Sequence, residues 1–175
     1  MTAVRRTALV IVVAQAEELV ADLRLQHDRM AALGVPAHVT VLHPFTPNVD
    51  DQVASTLDSL CAQVEPFDAH FMSTGRFPGG VVWLDPQPKD RFLGLIRLVQ
   101  QAFPEWPPYG GAYAQPVPHL TIASGVDETV ADRVESDVVR QLTERPTIAM
   151  SVSHLTLLEE GHDLRWTVGR TWQLG

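Results

Sequence analysis

Apolar positions along the chain fall into two rhythms. Residues 8 to 14 read Ala-Leu-Val-Ile-Val-Val-Ala. An unbroken, Val- and Ile-rich run of this length suits a strand buried on both faces, which predicts a first strand over 7 to 13. Ala16, Leu19, Leu23, Met30 and Leu33 then recur at helical spacing. They predict one amphipathic helix over 16 to 33, ended by Gly34 and Pro36, with His27 on its surface. A strand over 38 to 43 and a helix over about 50 to 64, capped by Asp50, follow. Residues 66 to 85 read as a hairpin, with strands at about 66 to 74 and 81 to 85 around a Gly-rich turn. Phe92, Leu95, Ile96, Val99 and Phe103 predict a helix over 89 to 103, and Val126, Val130, Val134 and Val138 one over 127 to 142. Pro146 follows the end of the latter. A strand over about 147 to 158, a turn at Glu160-Gly161 and a strand over about 164 to 170 close the chain.

Within this pattern one tetrapeptide is repeated. His38-Val39-Thr40-Val41 and His119-Leu120-Thr121-Ile122 lie 81 positions apart. In a strand, successive side chains point to opposite faces. Each copy therefore sets an imidazole and a hydroxyl on one face and two aliphatic groups on the other. The surroundings repeat as well. Helix, strand, turn and strand follow each copy, with Val81 43 residues after His38 and Leu164 45 after His119. The chain thus reads as a degenerate internal duplication. By parity, His43 faces away from His38. His154-Leu155-Thr156-Leu157 is a third copy. Its counterpart in the first half is Ser73, so it falls on a neighbouring strand without a symmetric partner.

Composition narrows the function classes. The 175 residues suit one domain, and 45 % hydrophobic content suits a sizeable core. The net charge is −8, from 13 basic and 21 acidic residues, and Lys89 is the one lysine. That balance argues against broad binding to long nucleic acid, though not against a small or end-on phosphate ligand. Cys61 is the single cysteine, so no intrachain disulfide or cysteine-based metal cluster can form. It continues the stripe Val53, Leu57, Leu60, Val64 and reads as core. Arg5-Arg6 ahead of the apolar run resembles a secretory signal, but the run is short for one, and a buried strand is the expectation. No stretch reaches the roughly 20 apolar residues of a membrane span, and a cytoplasmic monomer is expected.

Paired His/Thr strands suit one kind of chemistry. An imidazole takes or gives a proton near neutrality. Of two facing imidazoles, one can remove the proton from an attacking oxygen while the other protonates the leaving oxygen. The threonine hydroxyls can hold oxygens that gain charge between them. This suits in-line displacement at a reactive phosphodiester and needs no metal. The irregular segment 104 to 118, with Trp106, Tyr109 and Tyr113, leads directly into His119. Its aromatics can wall a substrate site, or the segment can be a rigid connector. Arg76, on the turn side of the hairpin, is a candidate phosphate contact or an exposed turn arginine.

These duplicated His-x-Thr-x strands, each with a preceding proline, resemble those of the two-histidine (2H) phosphoesterase superfamily, and within it bacterial 2′,5′ RNA ligase-like and cyclic phosphodiesterase proteins. The resemblance implies an α+β fold. It would have two lobes of pseudo-two-fold duplicated antiparallel sheets, with helices outside and a central cleft. One domain would span 1–175, with 1–35 grouped into a lobe with either 118–175 or 36–104. It also implies that His38 and His119 are the acid/base pair and that Thr40 and Thr121 bind phosphate; Tyr109, Tyr113 and Arg76 stand beside them as candidates for a substrate wall, read from the loop and the turn themselves. No metal or cofactor is implied. The substrate would be a 2′,3′-cyclic phosphate or a 2′,5′-linked nucleotide or RNA end. Many RNA-ligase relatives carry a basic residue just after the second motif. Here Ala123, Ser124 and Gly125 stand there, which shifts the expectation towards a small cyclic phosphate or an oligonucleotide end. Two alternatives stay open: a zinc hydrolase using a third histidine such as His154, and a non-catalytic nucleotide- or RNA-binding module on the same fold.

Overall fold

The computed structural model describes residues 6–113, 115–145 and 147–175. Arg5 and Pro146 lie outside them. The elements are β1 (Thr7–Val12), α1 (Glu17–His27), α2 (Arg29–Ala32), β2 (His38–Leu42), α3 (Asp51–Cys61), β3 (Phe67–Phe77), β4 (Val81–Gln87), α4 (Lys89–Ala102), β5 (Leu120–Ala123), α5 (Glu128–Glu144), β6 (Ile148–Val152), β7 (His154–Glu160) and β8 (Trp166–Gln173). The strands form two four-stranded sheets, ordered β2-β1-β7-β8 and β5-β4-β3-β6. Neighbours in both are antiparallel. Each motif strand is an edge strand of its own sheet. The two edges lie side by side, with Cα atoms of β2 and β5 within 8 Å of each other. A fold of two antiparallel sheets related by a pseudo-two-fold, with helices outside and a cleft between lobes, is what this order builds.

The helices lie where their apolar stripes can be buried. Leu57, Leu60 and Cys61 of α3, Leu95, Ile96 and Val99 of α4, and Val134 and Val138 of α5 all enter one core with the aliphatic faces of the strands. Full burial contributes roughly 1.5–3 kcal/mol for each large apolar side chain. Cys61 is part of this core, and burial, with the Asp58 charge adding, pushes its thiol up to about 11. Asp50 and Asp127 cap α3 and α5 by accepting from the amides of Val53 and Val130. Among the described residues no helix is long and apolar enough to cross a membrane.

Three expectations are corrected here. The helix over 16 to 33 is broken at Asp28, whose backbone is extended (φ −127°, ψ 106°). Its buried carboxylate accepts from the Met30 amide and from Arg24, both at 3.1 Å. These bonds end one helix and cap the next. The strand over 147 to 158 is two strands, parted at Ser153, with β6 in one sheet and β7 in the other. The lobes also divide differently: β2 joins β1, β7 and β8, while β5 joins β3, β4 and β6. The repeat therefore equates β1 with β4, each paired to its motif strand. It does not equate β4 with β8, which lies at the far edge.

Candidate active site

Both motif strands carry an irregularity at the same place. Leu42 and Thr40 pair with the adjacent residues Leu9 and Val10, so Val41 is an extra residue in β2. Ala123 and Thr121 pair with Val82 and Trp83, so Ile122 is extra in β5. Val41 and Ile122 are the same position of the repeated tetrapeptide. Such a bulge bends the strand and shifts its parity by one. Ahead of the bulge, alternation holds. Val39 and Leu120 are fully buried, while His38, Thr40, His119 and Thr121 are half-buried.

The two imidazoles are held alike. His38 Nδ1 lies 2.8 Å from the carbonyl oxygen of Pro36, and His119 Nδ1 lies 2.7 Å from that of Val117. Each carbonyl belongs to the residue two places before its histidine. A carbonyl only accepts, so Nδ1 carries the hydrogen and Nε2 is the nitrogen left to exchange a proton. The Phe77 ring sits edge-on to His119 at 4.9 Å, and Trp83 lies 6.2 Å away. Trp83 can lie there because residue 75 is glycine: a Cβ at Gly75 would fall 2.2 Å from the indole.

Burial sets the protonation of these rings. It pushes His38 down to about 4, against the Pro36 hydrogen bond and with the charges of Arg24, His119 and His43 adding to the fall. Burial also lowers His119, against its bond to Val117, and lowers His43, with Arg6 adding and Glu160 opposing. Both motif rings thus enter neutral near pH 7, with Nε2 able to accept. Arg24 is buried behind His38, where its guanidinium bonds Asp28 and the Val35 carbonyl, both at 3.1 Å.

A cavity opens beside each ring. One, of about 200 Å³, is lined by His38, Thr40, His43, Tyr109, Arg6 and Trp166 over Ala8, Met30, Val35 and Leu158. The other, of about 310 Å³, is lined by His119, Phe77, Tyr109, Tyr113 and the 115–117 segment. Tyr109 is common to both and divides them. Its backbone is left-handed (φ 53°), and its amide donates to the His43 carbonyl at 2.6 Å. Its ring meets that of Tyr113 edge-on at 5.6 Å. Burial raises the Tyr109 phenol, and the neighbouring Thr40 hydroxyl acts the other way.

Some expected residues lie elsewhere. Arg76 walls neither cavity. It points to the opposite side of β3 from Phe77 and pairs with Glu128, Asp132 and Glu135 of α5. Strand alternation is the reason, because adjacent residues cannot face the same cleft. His154 is exposed, with Nδ1 2.9 Å from Ser153 Oγ, and lines neither cavity. Thr121 shares the face of His119 but lines neither cavity. Among the described residues no three His, Cys, Asp or Glu side chains converge as metal ligands. His43, set aside by parity, reaches the His38 cavity because the Val41 bulge turns the strand. Arg6 and Trp166 carried no motif. Arg6 bonds Glu160, with Nε 2.7 Å from Oε2, and its guanidinium lies 5.8 Å from the Trp166 ring.

A profile of the 2′-5′ RNA ligase superfamily matches residues 12–164. The chain belongs to that superfamily. Membership, with the fold, supports phosphoesterase-type function. Solved structures with this superfamily member's fold include E. coli LigT complexed with 3′-AMP, at 19 % identity and a TM-score of 0.60, covering 97 % of this chain and 98 % of that one. A second LigT structure, complexed with NADP+, has 19 % identity, a TM-score of 0.58 and the same coverage. A protein described as a phosphoesterase has 18 % identity and a TM-score of 0.58, again over 97 % and 98 % of the two chains. No curated protein sequence matches the chain.

Proposed function

We propose that this protein is a metal-independent phosphodiesterase acting on a 2′,3′-cyclic phosphate or a 2′,5′-linked nucleotide or RNA end. The observation that carries this reading is the matched pair of histidines. Each is tethered through Nδ1 to the carbonyl two residues back, on bulged edge strands that lie side by side. A phosphate seated between them meets one Nε2 on each side. In ring opening, one Nε2 takes a proton from water as its oxygen bonds phosphorus. The P–O bond to the ribose oxygen breaks, and that oxygen takes a proton from the other Nε2.

The phosphate charge favours one proton on the pair. Burial lowers both rings, so the ring that holds this proton acts as the acid in ring opening and its neutral partner as the base. The reverse direction exchanges the roles. Thr40 and Thr121 donate to the non-bridging oxygens, and Tyr109 and Tyr113 wall the ends of the substrate. LigT has been seen with small nucleotides, which supports a nucleotide-sized ligand here. The net charge of −8 favours such ends over long nucleic acid.

The test is hydrolysis of nucleoside 2′,3′-cyclic phosphates in excess chelator by the wild type, His38→Ala and His119→Ala, with circular dichroism to confirm folding. The expected result is turnover that survives chelation and falls by about a hundredfold or more in each variant. Turnover lost to chelator, or retained in either variant, would overturn the proposal. Ligand binding without turnover of any diester would point to a binding module instead.

A further inference from the structure

We propose that Glu17 and Arg24 are positioning residues for His38: they hold the 35–37 backbone so that the Pro36 carbonyl stays aimed at the imidazole Nδ1. Their part in catalysis rests on the phosphodiesterase reading above, whereas the positioning itself does not. Glu17 and Arg24 lie seven residues apart, about two helical turns, so both leave α1 on the same side. That side faces the segment leading into β2. Arg24 Nη2 donates to the Val35 carbonyl at 3.1 Å, and Glu17 Oε1 accepts from the Ala37 amide at 2.6 Å. The two side chains also meet each other, with Arg24 Nη1 3.8 Å from Glu17 Oε1.

The other backbone polar groups of 35–37 are taken as well. The Val35 amide donates to the Met30 carbonyl at 3.0 Å, and the Ala37 carbonyl accepts from the Val13 amide at 2.8 Å. Pro36 has no N–H. Its carbonyl is the group that remains, and His38 Nδ1 lies 2.8 Å from it. The peptides on both sides of Pro36 are therefore held by side chains of α1. Arg24 is 2 % exposed, and a guanidinium so buried needs full engagement. Asp28 balances its charge at 3.1 Å, which leaves the fork rigid against the Val35 carbonyl. His119 is held by other means. The carbonyl beside its Nδ1 belongs to Val117, between Pro116 and Pro118. Their rings fix φ on either side of it. The two halves thus hold the same tautomer differently, and His119 serves as an internal control for a change in α1.

The experiment is nitrogen-15 NMR of the histidine rings at neutral pH, with kinetics on a nucleoside 2′,3′-cyclic phosphate. It compares the wild type with Glu17→Ala, Glu17→Gln and Arg24→Lys. Glu17 is half-buried, so its replacement leaves the Ala37 amide within reach of water and the fold intact. Arg24→Lys keeps the charge but replaces the planar fork with a point donor. In Glu17→Ala and Arg24→Lys the ratio of Nδ1–H to Nε2–H tautomer at His38 is expected to fall about fivefold or more, the scale of one hydrogen bond. His119 is expected to stay unchanged. The value of kcat is expected to fall about tenfold while KM stays within about twofold. Glu17→Gln keeps an oxygen for the Ala37 amide and is expected to rescue the tautomer ratio and most of kcat. A merely structural role would lower stability without moving the tautomer of one ring alone. Should Arg24→Lys not fold, Glu17→Ala carries the test. An unchanged ratio at His38 in Glu17→Ala, or equal changes at both rings, would overturn the proposal. A shift confined to His38 in a protein inactive on every diester would keep the positioning and sink the phosphodiesterase reading. Turnover without a shift in the variants would do the reverse.

Discussion

His38 should make the protein sensitive to mild acid, and replacing it should remove most of that sensitivity. In the fold this ring resists protonation until about pH 4, because burial and the Arg24 charge disfavour the imidazolium. In the unfolded chain it takes up its proton near the ordinary value of about 6.5. Between those values the unfolded state holds the extra proton, so stability rises with pH across that window and is lost as pH falls through it. With each pH unit equal to roughly 1.4 kcal/mol, the loss is about 2 kcal/mol by about pH 5 and on the order of 3 kcal/mol once the native ring also protonates. His38→Asn keeps a polar side chain and cannot titrate. Urea unfolding, followed by the fluorescence of the four tryptophans, would be run from about pH 7.5 to 4.5 on both proteins. The variant should start less stable and lose about 2 kcal/mol less on acidification to about pH 5. His43 and His119, also lowered by burial, keep part of the slope in both. Parallel stability curves for the two proteins would refute the reasoning.

Arg24→Met should cost about 3–5 kcal/mol in the same urea assay, because it strands the buried Asp28 carboxylate; a loss under about 1 kcal/mol would show the pair to be dispensable. Thr40→Val should leave the fold intact and lower kcat on a cyclic nucleotide by about a hundredfold; an unchanged kcat would remove Thr40 from the site. Arg76→Ala should leave kcat/KM within about twofold of the wild type, since its partners lie on the outer helix and exposed ion pairs contribute little. A large loss of activity would return Arg76 to the substrate wall.

The motif strands were legible because alternation is a local signal: His38 and Thr40 share a face whatever the rest of the chain does. His43 was not, because its facing depends on the Val41 bulge, which exists only as a register against Leu9 and Val10. Arg6 and Trp166 meet through the pairing of β1 with β7 and of β7 with β8, and no window of sequence joins them. The switch of sheet at Ser153 likewise follows from topology. Two misses did have signals. Asp28 just ahead of Arg29-Met30 is a cap residue, masked by an apolar stripe that runs on to Leu33. Arg76 next to Phe77 cannot share its face in a strand, and the same period-two rule would have set it outside.

The central claim is that His38 and His119 present Nε2 to a single phosphate. Nitrogen-15 NMR of the histidine rings, with titration of a nucleoside 3′-monophosphate, tests it most directly. In the free protein both rings should be neutral at pH 7 with hydrogen on Nδ1, as the Pro36 and Val117 carbonyls require. On titration both Nε2 resonances should move together along one binding curve. An Nε2–H tautomer in either ring, or a response confined to one of them, would contradict the account.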